Sequence, residues 1–276
     1  MPKDPPYPFH LCQPDVEKSC GACCGLYNLH DHSRATLEGF LQERASLFFA
    51  LGRDPDLSLY RRSLAPPTPA NPKLSEAIYN CEFLGFLDRE KKRVGCLLHP
   101  SLHQGVNLRE YSFYGPDLCA GHFCPSFTHL TKLEQEAVLT VLDDWYLYGL
   151  VITDIDLVKE FFRHVQDRLG ESLHVERLVD SEAREALRAF FRLKEFWKFA
   201  STENRLGKYD FSHSEYQIAR IEYEKNWKIK PPRFAKILLS LSSAFKTQED
   251  ILEAEYLIEE KIKNFTEAYL SASPLF

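Results

Sequence analysis

The residues of this chain best suited to chemistry are its eight cysteines: Cys12, Cys20, Cys23, Cys24, Cys81, Cys96, Cys119 and Cys124. The 152 residues after Cys124 contain none. Cys20-Gly-Ala-Cys23 has the spacing that lets two thiolates reach one metal ion. The same spacing serves redox pairs, but a thioredoxin-like site needs a strand before the motif and a helix opening on it. The preceding Leu11–Ser19 segment, LCQPDVEKS, reads as neither. Cys119 and Cys124, followed by Pro125, form a second short-range pair, and a turn between Cys81 and Cys96 supplies a third. Free cysteines also serve as small apolar core residues. That explanation suits Cys12, which stands apart, better than it suits three pairs in one segment. The doublet Cys23-Cys24 is informative because neighbouring side chains on an extended backbone point to opposite faces. Two adjacent thiolates therefore do not usually complete one tetrahedron; one of them packs, or they serve two metals. Eight cysteines fill two all-thiolate tetrahedral sites, or one cluster plus one zinc.

Histidines add spare ligands at His99, His103, His122 and His129. A lone histidine is more often hydrogen-bonded than ligating. His122, between Cys119 and Cys124, is the best placed of the four. Thiolates suit zinc and iron alike, iron–sulfur clusters included. No ferredoxin-type run of four closely spaced cysteines is present.

The elements that must position these thiols are few and short. Residues 1–32 read as loop with embedded cysteines. Ser33 or Thr36 caps a helix through LEGFLQERASLFFAL, with Leu37, Phe40, Leu41, Leu47 and Phe48 at helical spacing. Gly52 and Asp54-Pro55 end it. A linker follows, with four prolines between Pro66 and Pro72. Two apolar runs, FLGFL and VGCLL, flank a charged turn and predict a β-hairpin, with Cys81 opening one strand and Cys96 in the other. Residues 101–130 read as irregular. After them the pattern is helical: Thr131-x-x-Glu134 is a capping box ahead of LEQEAVLTVLDDWYLYGL, and Thr153-x-x-Asp156 starts a helix ended by Gly170. Ser181 caps another, and further helices are expected at 214–226, 233–246 and 248–270, the last capped by Thr247.

Composition narrows the partners. The chain has 276 residues and a net charge of −6. Lys and Arg number 13 against 14 Asp and Glu up to Leu130, and 21 against 26 beyond it. Neither half is basic, which argues against a nucleic-acid partner; the run Arg89, Lys91, Lys92, Arg93 reads as a solvated turn. No stretch approaches the ~20 apolar residues that span a bilayer, so no membrane is expected. MPKDPPYPFH, with three prolines in its first six residues, is no signal peptide. The expected compartment is the reducing cytoplasm, where disulfides do not persist. No Gly-rich phosphate loop, G-x-S-x-G or H-E-x-x-H is present. Asp143-Asp144 reads as a solvated helix face.

The run SCGACC, then CEFLGFLD…VGCLLHP, then C…CP resembles the YkgJ-like cysteine-cluster family, a zinc- or iron-chelating domain related to flagellin lysine N-methylase. On that resemblance Cys20, Cys23 and Cys24 match its first run, Cys81 with Phe83-Leu84 the second element, Cys96 the third, and Cys119 with Cys124 the last. His99-Pro100 stands where the family has Arg-Pro, and the insert from 24 to 81 is long. Cys12 falls outside the pattern.

These readings give a mainly α fold with a small β-hairpin: a cysteine-cluster metal-binding domain over 1–130, then a helical region over 131–276. The expected ligands are Cys20, Cys23, Cys24, Cys81, Cys96, Cys119 and Cys124, holding zinc or iron. Their role is structural or regulatory. The resemblance implies an alternative, an iron-dependent enzyme modifying a lysine of a protein substrate; a thiol redox switch is the other.

Overall fold

In a computed structural model, the chain is described over residues 10–52, 55–64, 71–201, 203–212 and 215–272. The fold is mainly α, with a two-stranded and a three-stranded antiparallel sheet. Contacts divide it into two compact units. The first gathers the described residues up to Phe127 with Asp144–Gly149 and Glu215; the second holds Thr128–Asp143, Leu150–Ser212 and the described residues from Tyr216 on. Among the described residues, no helix is long and apolar enough to cross a membrane.

In the first unit, α1 (Arg34–Ala50) buries Leu37, Leu41, Arg44, Ala45 and Phe48, one face at helical spacing. Ser33 makes no side-chain cap. Instead Asp31 accepts from the Ser33 backbone N–H at 3.0 Å and from the Thr36 hydroxyl. A short α2 (Leu57–Ser63) is capped by Asp56, whose carboxylate accepts from the Leu59 N–H at 2.9 Å. Most of the proline-rich linker, 65–70, lies outside the described residues. The expected hairpin is present as β1 (Leu84–Phe86) and β2 (Val94–Cys96), with Leu84 opposite Cys96 and Phe86 opposite Val94. Cys81 sits in the approach to β1 rather than opening it. The hairpin's charged turn folds around Asp88, which accepts from the Lys92 and Arg93 amides at 2.9 Å each. Lys91 and Lys92 there pair with Glu38 and Glu17. Residues 101–130 contain more helix than expected: α3 (Gly115–Gly121), α4 (Ser126–His129) and two 3-10 turns.

Thr131 and Glu134 form the expected capping box, but α5 (Lys132–Val141) stops there. A new helix, α6 (Trp145–Ile152), starts because Asp144 accepts from the amides of Tyr146 and Leu147 at 3.0 and 2.9 Å. Asp144 also pairs with Arg34, and Asp143 with Arg188, so neither acid is a bare helix face.

In the second unit, α7 (Ile155–Leu169) is capped by Asp154 and closed by Gly170 at φ +73°. The caps shift by one residue from expectation again at α8 (Ser181–Phe191), where Asp180 accepts from Glu182 and Ala183 and Ser181 is the first helical residue. After α9 (Leu193–Phe196) comes a sheet, β3 (Arg205–Leu206), β4 (Tyr209–Phe211) and β5 (Tyr216–Ile218), antiparallel in that order; β5 falls in the stretch expected as a helix over 214–226, which is helical only from Tyr223. Gly207, at φ +56°, is the first residue of the two-residue turn between β3 and β4, the place where such hairpins use glycine. Only α10 (Tyr223–Trp227) and α11 (Ala235–Ser240) follow, before α12 (Gln248–Ser271), capped by Thr247 as expected. Helices α12, α8 and α7 pack together, and Phe161, Phe190, Phe191 and Phe265 fill the space between them.

Candidate metal centre

All eight cysteines lie in the first unit and carry free thiols. The loop from Cys20 to Gly25 is the hub. Ala22–Cys24 form one 3-10 turn, and at three residues per turn neighbours diverge by about 120°. Cys23 and Cys24 therefore face different surroundings, as expected, although the backbone is not extended. Gly25 ends the turn at φ +81°, and a Cβ there would stand 2.3 Å from the Tyr79 carbonyl oxygen. Only glycine lets the loop lie this close to the 79–81 segment. That closeness seats the next hydrogen bond, from the Cys81 amide to the Cys24 carbonyl at 2.9 Å.

Cys81 is buried and braced from both helices. Arg44, itself buried, donates to the Cys81 carbonyl at 2.6 Å, and its guanidinium lies 3.7 Å from the Phe40 ring centre. Tyr60 donates to the Glu82 carbonyl at 2.8 Å and stacks on Phe83. Across the hairpin, the Leu97 amide bonds the Phe83 carbonyl at 2.8 Å, which fixes Cys96 beside this segment. Cys119 is exposed, with its sulfur 3.3 Å from the Ser112 hydroxyl.

On the other side of the hub, the Cys20 amide donates to the Cys12 carbonyl at 2.9 Å. The Tyr148 hydroxyl donates to the Leu11 carbonyl at 2.7 Å and holds the turn that carries Cys12, between the bridged His10 and Gln13. Tyr27 donates to the Tyr146 carbonyl at 2.9 Å and anchors the residues after the hub to α6. His10 joins the last piece: its Nδ1 accepts from the Cys12 amide at 3.1 Å. The same ring packs on Phe123 at 4.8 Å and is hydrogen-bonded to the His122 backbone. The turn carrying Cys12 thus lies beside the segment carrying the buried Cys124.

Three sulfurs accept backbone amides two residues ahead: Cys20 from Ala22 at 3.5 Å, Cys81 from Phe83, and Cys96 from Leu98. An amide aimed at sulfur favours the thiolate. Burial acts the other way and is the larger effect. It pushes the thiols of Cys12 and Cys81 up to about 12 and those of Cys23 and Cys96 to about 11, and holds Cys20 and Cys24 well above the ordinary range. Mutual repulsion adds to this and reveals the neighbourhoods. Charge on Cys20 is opposed by Cys12, Cys23 and Cys124; charge on Cys24 is opposed first by Cys81 and Cys96, and on Cys96 by Cys119. Such thiols are poor nucleophiles near neutral pH; a positive ion in their midst would remove the penalty. Among the described residues, no three Cys, His, Asp or Glu side chains stand close enough to hold an ion as they are. Coordination would have to draw the sulfurs inward. The donor type, thiols with backbone amides directed at three of them, is one that suits zinc or iron.

All seven expected ligands lie in the first unit, as does Cys12, but no three of these side chains stand close enough to hold an ion. The histidines are employed otherwise. His103 bonds the Leu97 carbonyl at 2.7 Å, and His99 takes the Ser101 amide. His122 closes α3 and meets His10 through its backbone, and His129 ends α4 in an exposed position. The positioning residues Gly25, Arg44 and Tyr60 escaped the sequence reading; the Cys-Cys-Gly string was the one available signal. Compared with protein-family models, curated proteins and solved structures, the chain matches none.

Proposed function

We propose that the first unit is a metal-binding module whose cysteines hold zinc or iron, and whose ion ties loop-rich chain into a defined shape. The observation that carries this is the gathering of eight cysteines, from segments far apart in sequence, in one compact unit, with backbone amides pointing at the sulfurs of Cys20, Cys81 and Cys96. Packing alone does not ask for that arrangement, since a buried cysteine used as a small apolar residue needs no amide on its sulfur. The cysteine order shared with the YkgJ-like pattern supports the same reading. Bound metal would supply positive charge that turns neutral thiols into thiolates and replaces the apolar burial this loop-rich region lacks. Arg44, Tyr60, Tyr148 and Gly25 then act as the frame that holds the ligand-bearing loops.

The test is elemental analysis of the full chain purified without oxygen, with an absorption spectrum of the same sample. One or two ions of zinc or iron per chain, or one cluster, is the expected result. Protein free of both metals, with every thiol open to titration, would overturn the reading.

A further inference from the structure

We propose that the chain pairs with a second copy of itself through the outer face of α12, the two helices lying antiparallel about a two-fold axis that passes between Lys261 and Ile262. The helix has two distinct faces. Ile251, Ala254, Ile258, Ile262, Phe265 and Tyr269 recur at helical spacing and are buried in the second unit. The opposite face presents Leu252, Tyr256, Glu260, Lys263, Glu267 and Leu270, all exposed. Its three large apolar side chains, Leu252, Tyr256 and Leu270, are 60, 67 and 59% exposed. Single exposed apolar residues are ordinary. Three on one stripe of one helix, ~27 Å from first to last, form a seam.

The order of residues along the stripe says what covers it. From its N-terminal end it runs Leu, Tyr, Glu, Lys, Glu, Leu, and an antiparallel copy presents the same string reversed. In a two-fold contact, residue i meets j and j meets i. Leu252 then meets the second copy's Leu270, Tyr256 meets its Glu267, and Glu260 meets its Lys263. Each contact recurs across the axis. The ends of the seam are leucine on leucine, the centre holds two ion pairs, and between them a tyrosine hydroxyl donates to a carboxylate on either side. A parallel pair would instead set Glu260 against Glu260 and Glu267 against Glu267, like charges that oppose association.

The charges left for this contact are those that the chain's own fold does not use. Glu253 is committed to Lys198, and Glu259 to Arg168 and Arg233. Glu260 has no ion pair among the described residues. Lys263 reaches Glu267 at 3.7 Å, one turn along the same exposed face. An anionic lipid surface does not fit this helix, whose exposed charges are Glu249, Glu253, Glu260 and Glu267 against Lys263.

The experiment is sedimentation equilibrium of the full chain over a concentration series, with reductant present so that no disulfide links two copies. The native chain should show a reversible equilibrium between monomer and dimer. Glu260→Lys sets lysine against Lys263, and Lys263→Glu sets glutamate against Glu260, so each variant alone should dimerise about tenfold more weakly. Mixed in equal amounts, the two variants regain both ion pairs across the axis and should associate with close to native strength, as should the double variant Glu260→Lys/Lys263→Glu. Both positions are exposed, and recovery in the mixture also shows that each variant is folded. A native chain that stays monomeric throughout the series, a dimer indifferent to both substitutions, or a mixture as weak as its components would overturn the proposal.

Discussion

Gly25 carries more of the site than any other non-ligand. Its φ of +81° and the 2.3 Å approach to the Tyr79 carbonyl are both closed to a side chain. A left-handed residue other than glycine costs about 1–2 kcal/mol, and the blocked approach adds displacement of the Cys81 segment. Gly25→Ala should therefore lower the stability of the metal-loaded chain by at least ~2 kcal/mol and reduce its metal content, read by chemical denaturation and elemental analysis on one preparation. An unaltered midpoint and full metal would show that the hub tolerates a shift. At this scale the sequence offered seven cysteines as candidate ligands by their spacing and was silent about supports. The surroundings of Cys12 were not legible, because they are set by a backbone bond and the His10 ring, neither of which leaves a mark in spacing. Arg44 was invisible for a similar reason: a charged residue on an apolar helix face is unexpected until its acceptor, the Cys81 carbonyl, is located.

Helix caps show what local sequence can and cannot determine. Thr131 and Thr247 were legible because a capping box is written within four residues. Asp154 was passed over in favour of Thr153, yet it does three jobs. It caps α7 through the Leu157 amide at 3.2 Å, accepts from the Ser240 hydroxyl at 2.9 Å and pairs with Lys194 at 2.8 Å, with both charges buried. The last two partners lie 40 or more residues away, beyond any local signal. Asp154→Ala leaves Lys194 without its counter-ion and should cost about 3–5 kcal/mol. Adding Lys194→Met should recover part of the loss, and a cycle of the four proteins by urea denaturation measures the coupling. Strictly additive losses would mean that the pair does not matter. The sheet over 205–218 was missed because its strands are two or three residues long, too short for alternation to stand out, although Gly207 marked its turn.

A second element-scale consequence concerns pH. His164, buried on α7, packs against Phe234 and has no hydrogen-bond partner for Nδ1 among the described residues. Burial lowers its pKa, and Arg163 and Arg233 lower it further, with Glu160 and Asp167 opposing. A histidine depressed in the folded state stays neutral while the unfolded chain takes up a proton near 6.5. Its contribution is thus complete above that value and lost as pH falls below it, by up to about 1.4 kcal/mol per pH unit. His164→Leu should flatten the slope of stability against pH just below 6.5; an unchanged slope would place the proton elsewhere.

At the scale of the molecule, the two units differ in what holds them. The second has capped amphipathic helices around an aromatic core. The first has long loops, short strands and eight free cysteines, of which Cys23 and Cys119 are exposed. Chelation should therefore expose the cysteine-bearing segments to limited proteolysis before the helices after Leu130; equal resistance of both would contradict the contrast. The mainly α character was legible from periodicity, since helices of ten residues or more repeat their pattern several times. The assignment of Asp144–Gly149 to the first unit was not, because a helix start inside an otherwise helical run is decided by one capping aspartate.

Metal binding by the cysteines is the central claim, and it is met most directly by counting reactive thiols in the native chain before and after a strong chelator, without oxygen or denaturant. Bound metal protects its ligands, so few or none of the eight should react at first and all eight should react once metal is withdrawn, with metal released in step. Prompt reaction of all eight in the untreated chain, with no metal released, would contradict it.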